Sequence, residues 1–267
     1  MTIPTGPRTN SLYHASELAA GSVFSAGRAI AVVLASFGGF FVVAAVLGGA
    51  KVDLLVTVIA GEAMLLLVPL VFVRASRGHR AMVGLRQPEL RFVVAALLIG
   101  SSQWFLNLIA VEAFDSWIGL SKDGVDRLEK VAIDPPLGLS LIAIALMPAL
   151  AEELLFRGVL ARGLATRFVP AVAIVGSAVL FSVFHFSVIQ AVPTFLLGLT
   201  YGYVALNARS CVPTMIAHLV NNSLAILVAQ DAVPWFADAL AYNTVASAGV
   251  ALALTTTGLV LATRGRA

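Results

Sequence analysis

Five ionisable side chains and one amide fall in or beside strongly apolar runs: Glu152, Glu153, Arg157, His185, His218 and Asn222. An ionisable group near the middle of a membrane helix costs at least roughly 2.5 to 3.5 kcal/mol on insertion scales, so each needs a partner or a task. Glu153 and Arg157 stand four apart with the acid first, the favourable order for a pair on one helix face. Pairing lowers the cost of burying either. Glu152 lies about 100° round the same helix and points elsewhere. In FSVFH, Phe181 and His185 share a face, an aromatic wall one turn from an imidazole; in HLVNN, His218 and Asn222 share another, with Asn221 turned away.

These residue types suit hydrolysis of a peptide bond. A glutamate in an apolar cavity can act as general base on water, with a histidine orienting that water. His218 and Asn222 can offer N–H donors to a developing oxyanion, each typically worth roughly 2.7 to 4 kcal/mol of barrier. The same groups also match a metal centre, with His185, His218 and Glu152 as a two-His, one-acid zinc set and an open position for water. Spacing alone does not separate the two chemistries.

The elements that must position these groups are membrane helices. The chain has 267 residues, 60% hydrophobic and 12% charged, with a mean hydropathy of +0.97, which excludes an ordinary soluble domain. A window of about 19 residues finds eight apolar spans, near 29–50, 54–73, 92–113, 138–157, 171–189, 191–208, 212–230 and 240–262. In lipid these must be helices, because an open sheet edge leaves backbone groups unsatisfied. The expected fold is all-α and polytopic: a cytoplasmic N-terminal segment, 1–28, then one transmembrane helical domain, 29–267, with no internal repeat. Residues 11–20 suit a short surface helix, in which His14 is solvated.

Loop charge orients the bundle. With both termini in the cytoplasm, 13 of the 17 Lys and Arg lie inside: Arg8, Arg28, Arg74, Arg77, Arg80, Arg86, Arg91, Arg157, Arg162, Arg167, Arg209, Arg264 and Arg266. That distribution follows the positive-inside rule. The longest outer segment, Asp115 to Pro136, reads as a polar loop or surface helix, and Trp104 and Trp117 bracket the outer end of the third span as an aromatic belt would.

Glu152 and His185 are 33 residues apart, and the midpoint falls beside Arg167 and Pro170, where a turn is signalled. Antiparallel helices meeting there bring both side chains to one depth, and His218, five residues past Pro213, joins them in the inner half of the membrane. Glu62, inside the second span, and Glu112, near an outer edge, read as structural hydrogen-bonding groups between helices. Cys211 reads as a small apolar residue at a helix start. The arginines are spread through short loops rather than gathered into a basic domain, which argues against nucleic acid.

EELLFRG, FSVFH and HLVNN, in this order on successive spans, are similar to the Glu-Glu-xxx-Arg, Phe-xxx-His and His-xxx-Asn motifs of the CPBP intramembrane proteases, the CAAX protease and bacteriocin-processing family. The likeness covers a protease-like core of about 90–230. It implies Glu152 as catalytic base, His185 as its water-binding partner, His218 and Asn222 as oxyanion or metal-binding groups, and Glu153, Arg157 and Phe181 as site-organising residues. Both a metalloprotease and a metal-free glutamate mechanism are proposed for the family, so Zn2+ stays open. The implied partners are the lipid bilayer and a membrane-associated protein or peptide substrate. HExxH, Gly-x-Gly-Asp and Gly-x-Ser-Gly signatures of other intramembrane proteases are missing from the sequence. Eukaryotic members trim three residues after a prenylated cysteine, whereas bacterial members are associated with peptide-toxin processing or immunity, or have no known substrate. The short arginine-rich loops suit a multi-pass protein of a bacterial plasma membrane. Two other classes compete: a proton-coupled transporter, disfavoured because paired halves with broken helices are not evident, and a non-catalytic membrane binding or immunity protein.

Overall fold

The computed structural model describes residues 23–75, 80–118 and 132–263. The proposed surface helix at 11–20, most of the long outer segment and the C-terminal arginines lie outside the described residues. Nine helices occur among those described: α1 (Ala26–Gly49), α2 (Leu54–Ala75), α3 (Leu90–Ile118), α4 (Leu137–Leu164), α5 (Pro170–Phe184), α6 (Val188–Ala208), α7 (Val212–Ala229), α8 (Pro234–Tyr242) and α9 (Thr244–Leu261). There are no strands among them. The fold is an all-α polytopic membrane bundle.

Local signals set the boundaries. Asp53 accepts from the Leu55 amide at 2.9 Å and opens α2; Asn243 accepts from Ala246 at 3.0 Å and opens α9, each satisfying an orphan amide of a first turn. Pro170 and Pro234 begin α5 and α8, where the missing N–H costs nothing.

Seven of the eight expected spans are helices long and apolar enough to cross a membrane; the fifth is shorter. It was expected over 171–189, but α5 has 15 residues, roughly 22 Å against a hydrocarbon core of roughly 30 Å. The imidazole explains the early stop. His185 Nδ1 takes the Phe181 carbonyl at 2.9 Å, Phe186 adopts a left-handed φ of 48°, and the chain turns back into α6 at Val188. The fourth span runs on to Leu164, so Arg162, assigned above to an inner loop, is a buried helical residue donating to the Ala81 carbonyl at 2.8 Å. Trp104 is also reassigned. It is buried against Phe105 and against Phe236 of the unforeseen α8, so it is a packing residue rather than part of a lipid-facing belt.

The helix carrying Glu152 lies inside the bundle. α2 and α1 pack on one side of α4; α7 packs on another and is itself held by α3. Polar side chains fasten the outer helices, with Ser102 to Thr255 at 2.8 Å between α3 and α9 and Gln103 to Thr200 at 3.0 Å between α3 and α6. Cys211 is buried and contacts the Val83 carbonyl at 3.3 Å; burial pushes its thiol up to about 12, so it stays a neutral packing group.

Close approach at a glycine places His218. A Cβ on Gly100 of α3 would collide with the Ala217 carbonyl, immediately before His218 on α7. Gly100→Ala is therefore expected to force the helices apart, to cost about 1–3 kcal/mol as overpacking, and to lower the thermal midpoint in detergent. A midpoint equal to wild type would show that α3 and α7 are not so tightly seated.

Candidate active site

The site is built on α4. Its Met147–Glu152 stretch is α-helical, while Leu141–Leu146 and Glu153–Ala161 on either side are widened into π-helical turns. Such turns recur at functional sites because they rotate and displace the following side chains. Pro148 adds a second local effect: it has no N–H to give the Ile144 carbonyl four residues back. Asn222 Nδ2 of α7 donates to that carbonyl at 2.7 Å. Its Oδ1 accepts from Asn221 at 2.9 Å, which leaves one amide N–H of Asn222 for another partner.

Glu153 is fully buried, and its Oε1 accepts from Arg157 at 2.8 Å and from His218 Nδ1 at 2.9 Å. The expected i,i+4 pair is present, and it holds a third residue from 65 positions away. The Arg157 guanidinium lies over Phe181 at 4.1 Å and within 5.4 Å of the Tyr201 ring centre. A cation desolvated between aromatic faces is held by their quadrupoles as well as by its carboxylate.

A carboxylate in this bond only accepts, so His218 Nδ1 carries its proton and Nε2 is the ring's open nitrogen. Nε2 faces Glu152, 3.9 Å from Oε2, too far for a hydrogen bond. Glu152, 6% exposed, makes no side-chain hydrogen bond among the described residues. The two glutamates divide as the helical geometry predicts: Glu153 accepts twice at Oε1, from Arg157 and from His218, and Glu152 is left open.

His185 closes the aromatic side. A carbonyl also only accepts, so the Nδ1 bonded to Phe181 carries the proton and Nε2 is an acceptor in the neutral ring. Phe181 meets the His185 ring edge-on at 4.9 Å and the His218 ring at 6.4 Å. This one phenyl ring thus touches both imidazoles and Arg157.

Glu152, Glu153, Arg157, Phe181 and His218 form one connected cluster, which His185 joins through Phe181 and Asn222 through α4. Direct pairing of Glu152 with His185, as equal depth suggested, is not seen: among the described residues no hydrogen bond or ion pair joins them. Nor do His185, His218 and Glu152 converge as a metal-binding group among those residues. Both Nδ1 atoms are hydrogen-bonded, one to Glu153 and one to a carbonyl, which leaves the two Nε2 atoms as the open nitrogens of the site.

Three further residues enter the site. Tyr201 is buried beside His218, its ring centre 5.9 Å from the imidazole and its hydroxyl without a partner. Asn221, read as turned away, is buried and hydrogen-bonded to Asn222. Glu62 is buried on α2, the helix that packs against the Met147–Glu152 stretch. A tyrosine in an apolar run carries no signal of its own, but a lone mid-span glutamate does.

Comparison with known protein families matches residues 135–224 to the family described as Type II CAAX prenyl endopeptidase Rce1-like. Curated proteins and solved structures give no match. The matched stretch runs from the start of α4 into α7, narrower than the expected core of about 90–230, and contains every motif residue from Glu152 to Asn222. It supports a membrane-embedded protease in general terms. The three motifs thus lie on or at the ends of α4, α5 and α7 with their side chains gathered round Phe181, and the segment that carries them, residues 135–224, is similar to the Type II CAAX prenyl endopeptidase Rce1-like family.

Proposed function

We propose that the protein is an intramembrane endopeptidase that hydrolyses a peptide bond of a membrane-associated protein or peptide by a water activated on Glu152. The observation that carries this reading is the split between adjacent glutamates: Glu153 is held at Oε1 by Arg157 and His218, whereas Glu152 is buried and makes no side-chain hydrogen bond among the described residues. Glu152 takes a proton from water, and the water oxygen bonds to the scissile carbonyl carbon. The Glu152 carboxyl then delivers that proton to the departing amine nitrogen as the C–N bond breaks.

The open Nε2 of His185 lines the aromatic side of the site. The remaining Asn222 N–H can donate to the oxyanion, and His218, held at Nδ1 by Glu153, turns its open Nε2 toward the same place beside Glu152. No step is assigned to a metal. The plasma membrane of a bacterium is the proposed setting. Whether the substrate carries a prenyl group is decided by the products.

The test uses the expressing cell's own membrane proteins as the substrate pool. New protein termini that depend on the wild-type chain are expected, and they should persist in membranes treated with EDTA or 1,10-phenanthroline. Loss of those termini on chelation, with recovery on added zinc, would overturn the metal-free route and return His185, His218 and Glu152 to the role of ligands.

A further inference from the structure

Glu62 lies on α2, outside the matched segment, in a helix with no motif. It is 6% exposed, and its Oε2 is buried without a hydrogen-bond partner. A carboxyl group in an apolar helix that spends its desolvation cost on no protein contact calls for an explanation. Packing supplies a direction: α2 lies against the Met147–Glu152 stretch of α4. Glu62 therefore lies on a helix packed directly against the turn that carries the open glutamate, a stretch on which α7 packs as well, and its charge acts on Glu152 alongside that of His218, whose Nε2 is 3.9 Å away. Gly61 beside it sits against the Phe40 ring of α1, which seats this part of α2 closely.

We propose that Glu62 is a second catalytic carboxylate, whose free Oε2 accepts one O–H of the water that gives its other proton to Glu152. Water has two O–H groups, and fixing both aims an oxygen lone pair at the scissile carbon. Glu152 then breaks one O–H bond as the oxygen–carbon bond forms; Glu62 keeps its hydrogen bond and gains no proton. This gives α2 a place in the chemistry and makes residues 135–224 incomplete as a catalytic unit. The inference rests on the hydrolytic reading of Glu152.

Glu62→Leu and Glu62→Gln in the full-length chain provide the test, read by the rate at which wild-type-dependent termini appear in the cell's membrane proteins. Glu62→Leu should slow their appearance about tenfold or more, while raising the thermal midpoint, because it removes a buried carboxyl with no protein partner. Glu62→Gln, which keeps an acceptor oxygen, should recover much of the rate. Melting of Glu62→Leu, Glu152→Leu and the double variant tests the contact without any substrate, since groups that share a water give non-additive shifts. Additive shifts overturn the proposal. So does Glu62→Leu at the wild-type rate, or a fall in rate and midpoint together, which marks a packing role. Termini that vanish in Glu152→Ala but persist in Glu62→Leu remove Glu62 alone; termini indifferent to Glu152→Ala remove the hydrolytic reading itself.

Discussion

Glu152→Ala is expected to abolish cleavage while leaving the protein as stable as wild type or more so. A positioned general base contributes about 10²- to 10⁴-fold, so the appearance of product termini should fall by that factor, with an unchanged or higher thermal midpoint. The stability half follows from the partners. Among the described residues Glu152 makes no side-chain hydrogen bond and its one ion-pair distance is 3.9 Å, to His218, so truncation strands no opposite charge there. It only removes a carboxyl from an apolar interior. A large loss of stability in this variant would mean that Glu152 holds the bundle together and is not free for water.

The residue next to it should behave in the opposite way. Arg157→Ala removes the cation that Glu153 is bound to at 2.8 Å, with both side chains almost wholly buried. Breaking a buried pair from one side leaves an uncompensated charge and costs about 3–5 kcal/mol. The variant also loses the stacking on Phe181 and Tyr201. Accumulation in the membrane and the thermal midpoint should both fall sharply, with activity lost as a consequence. Arg157→Lys keeps the charge but not the planar face, so it should recover only part of the stability. Quantitative immunoblotting and melting in detergent read the effect, and a stable Arg157→Ala would show that Glu153 is neutralised by some other group.

That contrast between neighbours was legible in the sequence, because it depends only on helical period: four residues join Glu153 to Arg157, and 100° turns Glu152 away. The all-α bundle was legible for a similar reason, since long apolar runs in lipid have one conformation. Events that join distant residues were hidden. His218 reaches Glu153 across 65 positions, and a period along one helix says nothing about which face of another it meets. Pro148 could be seen, but not that Asn222 would take the carbonyl it frees. The π turns of α4 leave no residue signature, and they alter the positions that a regular helix predicts. His185 misled in another way: an apolar stretch continues past it, so hydropathy extended α5, whereas the imidazole and the left-handed Phe186 end it early. Glu62 was visible as a lone buried acid but had no partner at helical spacing, since its neighbour is on α4.

The central claim is that Glu152 makes this membrane bundle a hydrolase, and comparison of protein and peptide termini in membranes from cells expressing wild type and Glu152→Ala tests it most directly. A set of new C-termini with matching N-termini that appears with wild type and is missing with Glu152→Ala, both proteins accumulating equally, is the predicted result. Identical termini in the two membranes would contradict it.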